Sequence, residues 1–243
     1  MSRKPEGIPS VIPHYIDGER VESVSGETFD VLDPVTNEAY TKAASGDKAD
    51  IDKAVAAANR AFHEGPWPRM KARARAKVLN RIADIVESRE DELAAMESFD
   101  SGLPITQARG QAQRAAENFR FFADLIVAQR DDTYKVPGMQ MNYVNRKPKG
   151  VAGLITPWNT PFMLESWKLG PSLASGCTAV LPLESPELLA DFFEPFLLAA
   201  PRTGTAPEAD ERSAEPSDRD RPTGSLGGEA PAAATLAVND QLN

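Results

Sequence analysis

Cysteine and histidine are scarce in this sequence. Its 243 residues include one cysteine and two histidines. A single cysteine cannot form an internal disulfide, which agrees with a reducing compartment. His14 and His63 fall in predicted surface connections and lack metal-ligand spacing, so we expect no metal site.

Long apolar runs and excess basic charge are also missing. No apolar run approaches the roughly 20 residues of a transmembrane helix, and the leader 1–13 lacks the apolar core of a signal peptide. The 27 lysines and arginines are outnumbered by 36 aspartates and glutamates, for a net charge of -9. Because no basic face offsets this charge, we expect neither nucleic acid nor an anionic membrane as a partner. The missing transmembrane run and signal peptide predict a cytoplasmic protein.

The sequence predicts a flexible leader over residues 1–13, followed in the N-terminal half by a hairpin and helices. The pieces YIDGERV and TFDVLDPVTNE contain turn formers between extended residues and predict an antiparallel hairpin at a sheet edge. Asp47 is a suitable N-cap for the first helix. Apolar residues at helical spacing predict helices over 49–62, 71–88, 91–99 and 106–129. An extended pattern around a Pro137-Gly138 turn predicts a surface hairpin over about 133–148.

The most informative stretch is KGVAGLITPWNTP, from Lys149 to Pro161. The apolar run over 150–156 predicts a strand buried on both faces of a parallel sheet, and a polar bend with Trp158 and Asn159 follows it. A helix over 162–176 and a strand over 178–181 complete a βαβ unit, so the fold class is α/β. Ligands bind beyond the carboxyl ends of such strands, where an amide can donate to an oxyanion. Spacing alone equally permits a buried turn with Trp158 packed as core.

Two motifs in a fixed order carry a family resemblance. PKGVAGLITPWNTP followed by WKLGPSLASGCTAVL resembles the aldehyde dehydrogenase superfamily. A finer resemblance, to 5-carboxymethyl-2-hydroxymuconate semialdehyde dehydrogenases, rests on DSGLPI, NFRFFAD and MNY, which begin at Asp100, Asn118 and Met141. It implies that residues 14–190 form the N-terminal, incomplete part of an NAD-binding domain. The hairpin over 133–148 then becomes an arm that pairs subunits into an oligomer.

The resemblance also implies an activity and a set of site residues. The activity is the oxidation of a small-molecule aldehyde to its acid with NAD, or with NADP as the other possibility. Asn159 matches the asparagine that donates to the oxyanion. The strand end matched to the cofactor comprises Ile155, Thr156, Pro157 and Trp158. The positions matched to the substrate tunnel are Thr160, Leu164, Trp167 and Lys168.

The second cofactor motif departs from the family pattern. The text after the second strand is TAVLPLESPELL, so Pro182 stands where the family places a lysine that holds the adenosine ribose. If one residue has been lost, Glu184 matches the acidic residue of that motif. Its carboxylate then accepts from the ribose 2′-hydroxyl and repels a 2′-phosphate, which favours NAD over NADP. A solvent-facing glutamate is the alternative.

Arg114 is the candidate residue for binding a charged group of the substrate. Its spacing places it on one helix face with Asn118, Phe121 and Phe122. The semialdehyde dehydrogenases have an arginine in this setting and substrates that carry carboxylates, which suit a guanidinium fork. A solvated arginine at the rim of an apolar face is the alternative.

The catalytic nucleophile is not evident. Cys177 begins a predicted buried strand with no nearby base, so we expect an inert thiol. The family's nucleophilic cysteine and general base lie beyond the matching region, which ends near Leu189. From residue 191 to 243 the composition becomes low-complexity, which predicts disorder and suggests a frameshift or an acidic linker. The chain is therefore either an aldehyde dehydrogenase by ancestry or an inactive remnant that pairs with full-length subunits.

Overall fold

Five α-helices and three small sheets make up the described part of the chain. The computed structural model describes residues 5, 7–134, 137–138, 142–183 and 234–237. The helices are α1 Lys48–His63, α2 Ala72–Ser88, α3 Glu90–Ser101, α4 Ile105–Ala128 and α5 Pro161–Ser175. The strands are β1 Val11–Ile12, β2 His14–Ile16, β3 Glu19–Val21, β4 Thr28–Leu32, β5 Ala39–Ala44, β6 Thr133–Tyr134, β7 Asn142–Tyr143, β8 Val151–Gly153, β9 Thr178–Leu183 and β10 Ala234–Ala237.

The helix ends follow the local signals in the sequence. Asp47 caps α1 as predicted, and its side chain accepts from the backbone N–H groups of Ala49 and Asp50 in a capping box. Pro161 occupies the first turn of α5, where its missing N–H costs nothing. Gly102 and Gly176 end α3 and α5 with φ of 75° and 91°, a left-handed conformation that favours glycine. The predicted helices are thus confirmed to within a few residues.

The N-terminal strands form two hairpins, whereas one was predicted. Strands β2 and β3 pair antiparallel across Asp17 and Gly18, whose positive φ angles suit a two-residue turn. Strands β4 and β5 pair antiparallel in a separate sheet, in which β1 lies parallel to β5. The prediction of a single hairpin is therefore wrong, because each piece contains its own turn and finds its own sheet.

The predicted βαβ unit is present in a second sheet of order β3-β2-β10-β9-β8. Strands β8 and β9 are parallel, with Val151 opposite Thr178, and α5 connects them. β8 is shorter than the predicted strand over 150–156, although the Leu154 N–H still donates to the Val180 carbonyl at 2.9 Å. This unit brings the bend at residues 154–160 to the carboxyl edge of the sheet.

Strand β10 differs from the expectation of disorder over residues 191–243. Its four residues pair antiparallel with β9 and parallel with β2, so they join the N-terminal hairpin to the βαβ unit. The rest of that predicted tail lies outside the described residues, as do Glu184 and residues 1–4 and 6 of the leader. The leader was predicted to be flexible over residues 1–13, but its Val11–Ile12 form β1, where Ile12 is buried against β5. The predicted arm over 133–148 is described in part, as the antiparallel pair β6 and β7.

His14 is fully buried, so its predicted place in a surface connection is wrong. It lies in β2 with an exposed fraction of 0%, and its Nε2 is 3.8 Å from Asp50 Oδ2. Asp50 also accepts from the Ser23 hydroxyl and the Val24 N–H at 3.1 and 3.0 Å. Burial lowers the pKa of His14, which favours the neutral ring. The pair therefore ties β2 to the first turn of α1.

Arg75 joins three parts of the fold from a buried position on α2. Its Nε donates to the Ala174 carbonyl at 3.0 Å and its Nη1 donates to the Met70 carbonyl. We expect Arg75→Ala to lower the free energy of unfolding by about 3 kcal/mol, because two carbonyls lose a charged donor. Chemical denaturation measures this change. The exposed Arg73→Ala on the same helix is the control, with an effect within about 0.5 kcal/mol. Equal effects of the two substitutions would contradict the role of Arg75.

Candidate functional site

The bend after β8 exposes alternate residues at the edge of the sheet. Leu154 and Thr156 point inward, and Thr156 is only 3% exposed. Ile155 and Trp158 are 71% and 68% exposed, so Trp158 is not the core residue that one interpretation of the sequence allowed. Pro157 and Asn159 are also exposed. The bend therefore presents an apolar surface and an amide side by side.

Asn159 stands immediately before the N-terminus of α5. Thr160, half-buried, is the N-cap residue of that helix, and its side chain makes no capping hydrogen bond. No hydrogen bond from the Asn159 side chain to another described residue occurs, so its amide is available to an incoming group. The free N–H groups of a helix N-terminus favour negative charge nearby. Pro161 has no N–H and the Phe162 backbone is engaged by Glu97, so an oxyanion at this position would meet the Asn159 amide and the dipole of α5.

Beneath the bend lie two buried carboxyl groups that the sequence analysis missed. Glu97 on α3 and Glu165 on α5 are each 2% exposed. The Thr156 hydroxyl donates to Glu165 Oε1 at 3.4 Å. A cofactor could therefore reach Thr156 only after the bend moves. Glu165 falls among apolar residues at core spacing in α5, which is the one signal that could have revealed it.

Both carboxyl groups favour the protonated form. Burial and, to a smaller extent, the charge of Asp100 raise the pKa of Glu97 to about 8, and the Phe162 backbone opposes this rise. Burial also raises the pKa of Glu165 well above its ordinary value, with a further contribution from Glu97. Desolvation is the common cause, since a charged carboxylate loses its hydration at a buried position.

Helices α4 and α5 pack along a seam that leads to Asn159. The Asn118 amide donates to the Ser166 hydroxyl at 2.8 Å, and Phe122 packs so closely on Gly170 that an added Cβ would lie 2.7 Å from its ring. Since both contacts advance by four residues, the two helices run in the same direction.

Exposed side chains line one side of this seam. At 3.6 residues per turn, Phe121 on α4 lies roughly 80° around its helix from the contact with α5, and Trp167 on α5 lies roughly 80° around its helix in the opposite sense. Because the two helices are parallel, these two side chains project from the same side of the seam. Arg114 lies on that side too, and it is exposed at the level of the first turn of α5. The structure thus places Arg114 toward the end of the seam where Asn159 lies.

The other predicted substrate residues lie on or beside α5. Leu164 is half-buried, while Trp167 and Lys168 are exposed. Lys168 Nζ donates to the Ile155 carbonyl, so it fastens the strand end to the helix. Through this bond Lys168 stabilises the position of the bend.

Cys177 is remote from the bend. It is buried at the start of β9, beyond the C-terminus of α5, whereas Asn159 precedes its N-terminus. The 15 residues of α5 separate the two by about 20 Å at 1.5 Å per residue. The Cys177 thiol therefore cannot attack a carbonyl held by Asn159, which agrees with its rejection as the nucleophile.

The described residues contain neither a cluster of metal-binding side chains nor a membrane-spanning helix. The described part of the chain brings no three His, Cys, Asp or Glu side chains together in an arrangement that could hold a metal ion. None of the helices in the described ranges combines the length and the apolar character needed to cross a membrane.

Known proteins resemble this chain over most of its described length. Aldehyde dehydrogenase 1 of Tanacetum cinerariifolium is 42% identical over 180 residues, 73% of this chain and 36% of the relative. The 5-carboxymethyl-2-hydroxymuconate semialdehyde dehydrogenase of Escherichia coli is 39% identical over 182 residues, 74% of this chain and 38% of the relative. The crystal structure of PnpE in complex with nicotinamide adenine dinucleotide superposes with a TM-score of 0.71 at 40% identity, covering 76% of this chain and 38% of PnpE.

The chain spans about a third of the length of these relatives. The sequence model of the aldehyde dehydrogenase family matches residues 21–190, which include the bend, α5 and the seam. Relative, structural neighbour and family model agree with the resemblance carried by the two motifs. The chain belongs to the aldehyde dehydrogenase family.

Proposed function

We propose that this chain is the N-terminal part of an NAD-dependent aldehyde dehydrogenase, in which it supplies the oxyanion donor and one face of the cofactor and substrate sites. One observation carries the proposal. The Asn159 amide is exposed and free of hydrogen bonds to the described residues, at the carboxyl edge of β8 and just ahead of α5. Ligands of open α/β sheets bind at this kind of edge.

The chemistry assigned to Asn159 is electrostatic. When a thiolate attacks an aldehyde, a carbon–sulfur bond forms and the carbonyl electron pair moves to the oxygen. The Asn159 amide donates to that oxygen, and the N-terminus of α5 favours the same negative charge. The thiolate belongs to the part of the family's fold that these residues do not include. NAD, when bound, accepts the hydride that leaves the tetrahedral carbon.

The residues present fit one face of the cofactor. Ile155 and Trp158 offer exposed apolar surface at the strand end, and Lys168 holds the Ile155 carbonyl in place. PnpE was crystallised with the same dinucleotide. Pro157 continues this surface, whereas Thr156 lies beneath it. Glu184 keeps its proposed contact with the adenosine ribose, which selects NAD over NADP, but it lies outside the described residues.

We propose a carboxylated semialdehyde as the substrate. Arg114 is exposed on the side of the seam that carries Phe121 and Trp167, so its guanidinium can meet a carboxylate while the aldehyde approaches Asn159. The name of the Escherichia coli relative states such a substrate, whereas the name of the Tanacetum relative states none. Thr160 and Leu164 border the same end of the seam.

Assembly and location are proposed from the same family membership. Strands β6 and β7 present an exposed Tyr143 and an open strand edge, which could pair with a strand of another subunit. We propose a cytoplasmic homo-oligomer, or pairing of this chain with full-length subunits. In the second arrangement the chain taken alone would be non-enzymatic. This arrangement is favoured because the single cysteine of the sequence, Cys177, is not placed to act as a nucleophile.

The chain alone is expected to form no NADH from aldehyde and NAD. An oxyanion donor without a nucleophile stabilises no covalent intermediate, so the rate should be lower than that of a family enzyme by several orders of magnitude. Absorbance at the NADH band measures this. Cys177→Ala is the matched variant, and we expect it to behave as the parent chain does.

Two outcomes would contradict this account. Activity that survives Cys177→Ala would show a different mechanism. Activity that disappears in Cys177→Ala would make that thiol the nucleophile in spite of its distance from Asn159. The positive test is a chimera of residues 1–183 with the remaining part of the Escherichia coli relative, which should form NADH from aldehyde. A folded chimera without activity would overturn the proposed function.

A further inference from the structure

Strand β8 lies at one end of its sheet with an open backbone edge. In the order β3-β2-β10-β9-β8 it has a neighbouring strand on one side only among the described residues. The Leu154 N–H donates to the Val180 carbonyl of β9 at 2.9 Å, so the backbone groups of Leu154 point toward β9. Because successive residues of a strand point their backbone groups to opposite sides, those of Val151 and Gly153 face the open side.

Both faces of β8 are covered, so only its edge is open. On one face the half-buried Val151 packs against a cluster formed by Ile16, Val180 and alanines of α1. On the other face Ala152 packs against the large core cluster, which includes side chains of α2, α4 and α5. Strands inside a parallel sheet are covered on both faces in this way. β8 therefore has the packing of an interior strand and the position of an edge strand.

The two end strands of this sheet differ in how their edges are protected. β3, at the far end, has the exposed residues Glu19 and Arg20, and charged residues on an edge strand discourage pairing with another chain. β8 reads Val-Ala-Gly and contains neither a charged residue nor a proline. Gly153 is exposed, and a Cβ added there would meet no atom within 4 Å. The edge of β8 is thus free to accept a strand.

We propose that the open edge of β8 docks a parallel strand from the C-terminal part of an aldehyde dehydrogenase chain, supplied as a separate polypeptide. In a doubly wound sheet the first strand is central, with the second strand on one side and a strand from the later half on the other. β8 and β9 are the first two strands of the βαβ unit. The family match ends at residue 190, soon after β9, so the place beside β8 belongs to a strand outside this match.

The chemistry of the bend selects the same partner. The thiolate that attacks at Asn159 must come from a part of the fold that lies against the bend, directly beyond β8. Ligands of doubly wound sheets bind where the strand order reverses, and β8 with a strand on each side is that point. A second copy of this chain fits less well, because two identical edges related by a two-fold axis would run antiparallel. The C-terminal part of a family chain thus meets the edge and the bend together.

The inference rests on the proposed function for the identity of the partner, but docking can be measured without catalysis. Hydrogen exchange with single-residue resolution separates the two sides of β8. In the chain alone the Val151 and Gly153 amides should exchange rapidly, whereas the Leu154 amide, which is bonded to Val180, should be protected.

The partner is the part of the Escherichia coli relative that follows the matched segment, expressed with the full chain as a separate tagged polypeptide. The two should purify together. Exchange at Val151 and Gly153 should then slow by about tenfold or more, as expected for amides that gain a hydrogen bond, while exchange at Leu154 changes little. The full-length relative, whose own strand already fills this place, should leave all three amides unchanged.

Gly153 offers a matched pair of variants. Gly153→Pro removes the N–H on the open side and leaves the bond from Leu154 to β9, so the chain should fold but fail to purify with the partner. Gly153→Ala keeps the N–H and fits the open space, so it should purify with the partner as the parent does.

A protease site at the junction of the chimera gives the two parts from one folded protein, and after cleavage they should stay together. The inference is overturned if the cleaved parts separate, or if Gly153→Pro purifies with the partner as well as the parent does. Val151 and Gly153 amides that are already protected in the chain alone would also overturn it, because a second copy or another segment would then occupy the edge. An active chimera whose cleaved parts separate would leave the proposed function intact, whereas cleaved parts that stay together without activity would leave only the docking intact.

Discussion

Replacement of Asn159 by alanine in the chimera should lower kcat by about 10²- to 10³-fold, the usual cost of losing one oxyanion donor. The Asn159 side chain is exposed and unbonded among the described residues, so its removal should leave the fold intact. The amide acts on charge that appears only in the transition state, so KM should change little. Initial rates of NADH formation at varied aldehyde give both constants.

A matched control separates this effect from a general loss of an exposed asparagine. Asn59 is also exposed, but it lies on α1, away from the bend and from the β6–β7 pair. Asn59→Ala should keep kcat within about twofold, as surface substitutions away from a site usually do. If Asn159→Ala were equally mild, the tetrahedral oxygen would have to be stabilised elsewhere.

The second large effect concerns the choice of substrate. Arg114→Ala in the chimera should lower kcat/KM for an aldehyde with a second, carboxylate end by about 10-fold or more, since a charged hydrogen bond contributes roughly 1.5 to 3 kcal/mol. The exposure of Arg114 places the expected loss at the lower end of this range. A neutral aldehyde of similar length should lose less than about twofold.

Arg109 offers the control, because it is another arginine of α4. Its guanidinium pairs with Asp91 on α3 in an exposed ion pair, away from the bend. Arg109→Ala should affect the acidic and the neutral aldehyde alike and only slightly. An equal fall for both aldehydes in Arg114→Ala would show that this arginine supports the fold or general binding.

Features set by local sequence were predictable. Asp47 and its capping box fixed the start of α1, Pro161 the start of α5 and Gly176 its end. The βαβ unit followed from two apolar runs separated by one helical pattern. These signals act within a few residues, so a single sequence contains them in full.

Features that depend on contacts between distant residues were missed. His14 looks like a polar residue in a connection, and only its contact with Asp50 shows why it is buried. Glu97 and Glu165 lie on different helices, so their pairing beneath the bend has no sequence signature. The strand-like N-terminal pieces did not reveal that they join different sheets.

The part of the candidate site that lies within the KGVAGLITPWNTP motif could be predicted from the sequence. The motif placed Asn159 in a bend at the strand end, and the structure has it there. It also assigned Thr156 to the cofactor, whereas the structure buries that side chain on Glu165. A motif gives the order of residues along a strand end, but the direction of each side chain depends on where β8 stops pairing.

The central claim is that Asn159 stabilises the tetrahedral oxygen after thiolate attack, and the burst of NADH in the first turnover tests it most directly. Stopped-flow absorbance should show a burst in the chimera that is slower by about 10²-fold or more in Asn159→Ala. Alkylation of the nucleophilic thiol by iodoacetamide should proceed at the same rate in both proteins, because Asn159 acts on the oxygen and not on the sulfur. An undiminished burst in Asn159→Ala, with the thiol equally reactive, would contradict the account.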